Sequence, residues 1–142
     1  MFVSEQHPTS RRFAVFEEDE ATAYLYLTAP DGAKPIGDCW VYNRIPAPER
    51  SEIEKYRGFP PPAARGYVGP NAKRPVPPEW AVKFLWSPDG NAVSVLIEGV
   101  PTGFLVFGEG GHGGYSLHLI KEGPWGKPWN EERFREVFEH PT

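Results

Sequence analysis

Sulfur is scarce in this chain: Cys39 is its only cysteine and Met1 its only methionine. One cysteine excludes an intramolecular disulfide and any zinc site built from several thiolates. It also fits a reducing compartment. Basic charge is in short supply as well. Fifteen Lys and Arg stand against 19 Asp and Glu, a formal charge of −4, which leaves no cationic footprint for a nucleic-acid backbone. Apolar runs never approach the roughly 20 residues of a membrane helix. The opening MFVSEQHPTS lacks the basic start and apolar stretch of a signal peptide. These absences lead us to expect a cytosolic protein with no cofactor, no nucleic-acid partner and no membrane association.

What the chain does have is enough material for one core. Its 142 residues suit a single domain spanning 1–142. At that size folding removes roughly 68–70% of the unfolded surface from water without help from disulfides. Hydrophobic residues make up only 39%, but 14% of the chain is aromatic, and each such ring buries a large area.

Residues 1–10 read as a polar tail. A strand is expected over 11–16, followed by an acidic turn at Glu17, Glu18, Asp19 and Glu20. Residues 21–28, ATAYLYLT, alternate with the period of two that marks a half-buried strand. Pro30-Asp31-Gly32 turns the chain into a returning strand over 36–44. Between 45 and 79 the pattern stops. Pro48 suits the first position of a short helix in ERSEIEKYR. The prolines of GFPPPAARGYVGPNAKRPVPPEW then rule out a central strand, so 45–79 reads as a long Pro-rich surface loop. Four more strands are expected at 80–87, 91–98, 102–108 and 115–120, with tight turns that force antiparallel neighbours. At the end, Asn130 caps a helix whose Phe134, Val137 and Phe138 form an apolar stripe. Trp129 and Phe134 match a hydrophobic staple. The expected fold class is α+β: a twisted antiparallel sheet of about six strands with one C-terminal amphipathic helix.

Several motifs hint at chemistry and fail for want of context. Residues 108–114, GEGGHGG, contain a G-x-G-x-x-G spacing, but a strand rather than a helix follows, so no helix N-terminus awaits a pyrophosphate. Gly114-Tyr115-Ser116-Leu117-His118 approximates a nucleophile elbow. On a continuing strand, however, Ser116 and His118 would stand roughly 7 Å apart with no sharp turn to expose the serine. His7, His112, His118 and His140 are scattered without metal-ligand spacing. The Pro-rich loop lacks the flanking residues of SH3 and WW ligands. No catalytic residue and no metal site is expected.

Two features remain. The run Glu17, Glu18, Asp19 and Glu20 forms a compact acidic tip able to steer toward a basic partner. Tyr24 and Tyr26, beside Asp38 and Trp40, have the chemistry of interface hot spots.

The order of these segments resembles that of a family of small bacterial proteins of unknown function. Phe16-Glu17-Glu18-Asp19 leads into Tyr24-Leu25-Tyr26. Pro35-Ile36-Gly37-Asp38 leads to Tyr42-Asn43, and Trp86-Ser87-Pro88-Asp89-Gly90 precedes Val95-Leu96-Ile97. The resemblance covers about half the chain and supports the strand layout, but it brings no activity with it. The expected function is non-catalytic protein binding, as an adaptor or an immunity-type inhibitor, through Glu17, Glu18, Asp19, Glu20, Tyr24, Tyr26, Asp38 and Trp40. The alternative is a small-molecule pocket beneath the Pro-rich loop, lined by Trp40, Tyr67, Trp80 and Trp86 with Asp38 or His118. A third is self-association through a sheet edge.

Overall fold

The computed structural model describes residues 1–32, 34–109 and 114–139. The glycine-rich spacing around His112, and His140, therefore lie outside the described residues. Two sheets share one core. The first is a meander of β1 (Phe2–Gln6), β2 (Phe13–Glu18), β3 (Thr22–Thr28) and β4 (Pro35–Asn43). The second runs β5 (Val82–Trp86), β6 (Ala92–Ile97), β7 (Val100–Val106), β8 (Tyr115–Ser116) and β9 (Lys127–Pro128). Every neighbouring pair is antiparallel except β8 and β9. The helix α1 (Glu131–Phe138) closes the chain.

The expected α+β class, antiparallel pairing and C-terminal helix are all present, but the strands divide between two sheets rather than joining in one. The reason is burial. Ala14, Phe16, Ala23, Leu25, Leu27, Cys39 and Val41 from the first sheet meet Val82, Val93, Val95, Ile97 and Leu105 from the second. Each sheet has one strongly apolar face, and stacking the two removes both faces from water. The thiol of Cys39 sits in this core, where burial raises its pKa and keeps it protonated.

Local signals explain the turns. Glu98 and Gly99 both have positive φ, 52° and 82°, the pairing that a two-residue hairpin between β6 and β7 requires. Gly90 is held at φ 73°, and a Cβ there would come within 2.3 Å of the His7 ring. The Pro88-Asp89-Gly90 turn and the His7 turn therefore lock together through the absence of a side chain.

Three expectations need correcting. Residues 1–10 are not a tail, because β1 pairs along its whole length with β2 and Val3 packs on the core. One inward apolar residue was too weak a periodic signal to reveal that strand. Residues 115–120 do not form a full strand either: β8 stops at Ser116, and Leu119 N–H bonds back to Ser116 in a turn. Finally, the Pro-rich segment is less a surface loop than a cover. It opens with a 3-10 helix at Arg50–Tyr56, and it then buries Pro62, Ala63, Ala64, Ala72 and Pro77.

The helix signals hold in full. Asn130 Oδ1 accepts the Arg133 N–H at 2.9 Å, and the Trp129 and Phe134 rings meet at 5.1 Å. The apolar stripe of α1 lies on the outer face of the second sheet. There Phe104 of β7 touches Tyr115, Trp129, Phe134 and Phe138 at centroid separations of 4.4 to 5.7 Å. Edge-to-face and offset aromatic pairs of this kind each add about 0.5–1.5 kcal/mol beyond area burial.

A candidate partner-binding face

The outer face of the first sheet is divided in two by the cover. Over one half, Tyr24, Trp40, Ala63, Ala64, Ala72, Leu119 and Trp125 form a second core. Asn43 builds the clamp beneath it. Its Oδ1 accepts from Trp40 Nε1 at 2.8 Å and from the Ala63 amide at 3.0 Å, while its Nδ2 donates to the Ala63 carbonyl at 2.9 Å. Tyr24 adds a hydroxyl bond to the Pro61 carbonyl. Through these two side chains the backbone of the cover finds partners without a ladder.

The edge of β4 is closed in the same way. Gly114 N–H donates to the Asp38 carbonyl at 3.0 Å, Trp40 N–H to Trp125 at 3.3 Å and Asn43 N–H to Ala72 at 2.7 Å. The backbone groups of this edge are taken by loops rather than left for another strand.

The other half of the face is open. Val15, Glu17, Tyr26, Thr28 and Pro35 line a shallow depression of about 290 Å3. Tyr26 stands at its border, half-buried and packed on the second core, with its ring stacked on Tyr24 at 6.0 Å. It lies opposite Val15 on β2 and Asp38 on β4. Burial, and then the charges of Glu17, Asp38 and Asp19, push its phenol from 10.0 up to about 12. Of these acids, Glu17 shares the depression with the ring and Asp38 lies across the β3–β4 pair from it.

The four acids at the tip do not act as a unit. Glu17, Asp19 and Glu20 are exposed, but Glu18 turns into the protein. Its carboxylate accepts the Tyr42 hydroxyl and pairs with Arg44 Nη1 at 3.4 Å. Burial, and then that contact, raise the Tyr42 pKa. Asp19 is partly committed as well, since its Oδ1 accepts the amides of Ala21 and Thr22 at 2.8 and 3.0 Å and so shapes the β2–β3 turn. Beside this turn Asp19, Glu20, Ala21, Tyr56, Phe59 and Pro60 line a groove of about 430 Å3. Phe59 is 69% exposed there.

The eight residues expected at the site therefore separate. Glu17, Asp19, Glu20, Tyr26 and Asp38 lie at the surface, whereas Glu18, Tyr24 and Trp40 are buried and hold the fold. Trp40 is 0% exposed and lies too deep to touch a partner. Phe59 escaped the sequence reading, as did the clamp of Asn43. An asparagine closing the apolar run CWVYN was the one available sign of the clamp.

The four aromatics expected beneath the cover do not line one cavity. Trp40 and Tyr67 belong to the second core. Trp86 lies on β5, where it meets His7 and Glu5, and Trp80 is 76% exposed. Small buried side chains fill the space between cover and sheet. Among the described residues no group of three or more His, Cys, Asp and Glu side chains converges to hold a metal ion, and no helix is long and apolar enough to cross a membrane. No known protein family, curated protein or solved structure matches this chain.

Proposed function

We propose that the protein is a non-catalytic binding module that docks on a basic surface of a partner protein, as an adaptor or an immunity-type inhibitor. One observation carries this reading: on the uncovered half of the first sheet the half-buried Tyr26 lies opposite Asp38 and shares an open depression with Glu17. A rigid aromatic flanked by two acids suits a lysine or arginine side chain, which gains both ion pairing and a cation–π contact. Glu20 and Phe59 extend the same chemistry into the adjacent groove. Negative potential over this face also speeds encounter with a basic partner, with a steep dependence on salt.

The test is capture from a lysate of the source organism with the tagged protein as bait, followed by titration of the captured partner. Glu17→Lys, Glu20→Lys and Asp38→Lys together reverse the exposed charge and leave Glu18 and the Asp19 turn in place. One stoichiometric partner should bind the wild type, and affinity should fall with the triple variant and with added salt. A triple variant that binds as tightly as the wild type, at low salt as at high, would remove this face from the function.

A further inference from the structure

Arg44, Lys73, Arg74 and Pro75 line a depression of about 270 Å3 where the end of β4 meets the returning limb of the cover. Backbone bonds build its wall. Asn43 N–H donates to the Ala72 carbonyl at 2.7 Å and Arg74 N–H to the Asn43 carbonyl at 2.9 Å, so that Asn43 and Lys73 form a parallel bridge. Three cations are thereby fixed around one hollow in a chain whose formal charge is −4. Like charges brought together this way repel one another and favour a bound anion.

Their existing partners satisfy them only in part. Arg74 Nε donates to the Pro75 carbonyl at 3.1 Å, but Arg44 Nη1 reaches Glu18 and Arg74 Nη2 reaches Glu98 only at 3.4 Å, well beyond the roughly 2.7–2.9 Å of a close charge-assisted bond. Arg44 Nε is buried with no hydrogen-bond partner among the described residues. Lys73 is exposed and makes no ion pair among them. Of the two acids, Glu18 is shared, with Oε2 accepting the Tyr42 hydroxyl and Oε1 facing Arg44. The positive field also extends outward: burial and then the Arg74 charge lower the pKa of His118.

We propose that this depression is a binding site for a phosphate-type oxyanion, either free or carried on a small organic molecule. Two guanidinium groups offer planar forks of donors, and the lysine adds a mobile point charge. The hollow has room for the oxyanion together with part of its carrier. None of these residues belongs to the acidic face, so the site stands whether or not that face binds a partner.

The experiment is an NMR titration with inorganic phosphate and with glycerol 3-phosphate, each against sodium chloride at matched ionic strength. It follows the Arg44 Nε–H and Lys73 amide resonances. Both should shift saturably to one site, with affinity about tenfold weaker in Lys73→Gln and in Arg74→Gln. Lys73→Arg should keep the affinity. Tighter binding of glycerol 3-phosphate assigns the site to a carried phosphate, and equal binding assigns it to the free oxyanion. Shifts that never saturate, that chloride reproduces, or that persist unchanged in folded Lys73→Gln overturn the site. Lys73 has no side-chain contact in the core, so that variant remains interpretable even if Arg74→Gln fails to fold.

Discussion

Tyr24 and Tyr26 stand two residues apart on the same face of the same strand, with stacked rings, yet one is sealed and the other borders water. The cover makes the difference, because it reaches Tyr24 through the Pro61 carbonyl and stops short of Tyr26. Composition and periodicity alone therefore do not decide which aromatic is available to a partner. What decides it is where an irregular segment can satisfy its own backbone, and here that place is set by Asn43.

The largest effect that would sharpen this contrast comes from the sealed half. Trp40→Ala should destabilise the protein by about 3–5 kcal/mol in denaturant unfolding, since the cavity lies in a filled core. A change below about 1 kcal/mol would mean that the cover is not sealed there. Asn43→Ala comes next, at about 2–4 kcal/mol, because it strands the Trp40 Nε1–H and both backbone groups of Ala63. The same unfolding curves measure it.

On the open half the expected effects are smaller and differ in kind. The fold favours the neutral phenol of Tyr26, so its contribution to stability is intact below pH 10.0 and declines as pH rises through about 12. Tyr24 and Tyr42 are shifted upward too, so Tyr26→Phe should flatten the alkaline decline only in part. Glu17→Gln with Asp38→Asn should lower the Tyr26 pKa part of the way toward 10.0, read from tyrosinate absorbance. A pKa unmoved in that double variant would break the picture of acids gathered on this ring. Smallest of all, Glu17→Lys and Glu20→Lys should each leave stability within about 0.5 kcal/mol in thermal unfolding. A larger loss would mean that the open face holds the fold after all.

The features legible in the sequence were those with local causes. Alternation in ATAYLYLT, the Asp31-Gly32 turn and the Asn130 cap each carry their own signal within a few residues, and each recurs in the structure. The division into two sheets was not legible, because both halves share the same period and only packing separates them. The acidic run was misjudged for a subtler reason. Four acids in a row look alike as composition, but β2 continues through Glu18, and a strand sends adjacent side chains to opposite faces. Glu17 thus goes to water and Glu18 to Tyr42. Of the candidate site, the exposed acids and Tyr26 could be found in this way. Phe59 could not, since its place beside Asp19 and Glu20 depends on how the cover folds back.

The Asn43 clamp also governs how the molecule opens. The cover is joined to the sheet by the second core, by side-chain amide and hydroxyl bonds and by a short backbone bridge, not by a strand ladder. Segments attached without a ladder detach as cooperative units while the remainder stays folded. Amide hydrogens of Ala63 and Ala72 should accordingly exchange together, sooner than those of β3 and β6. The second core is thus exposed through a partial unfolding confined to one side of the sandwich.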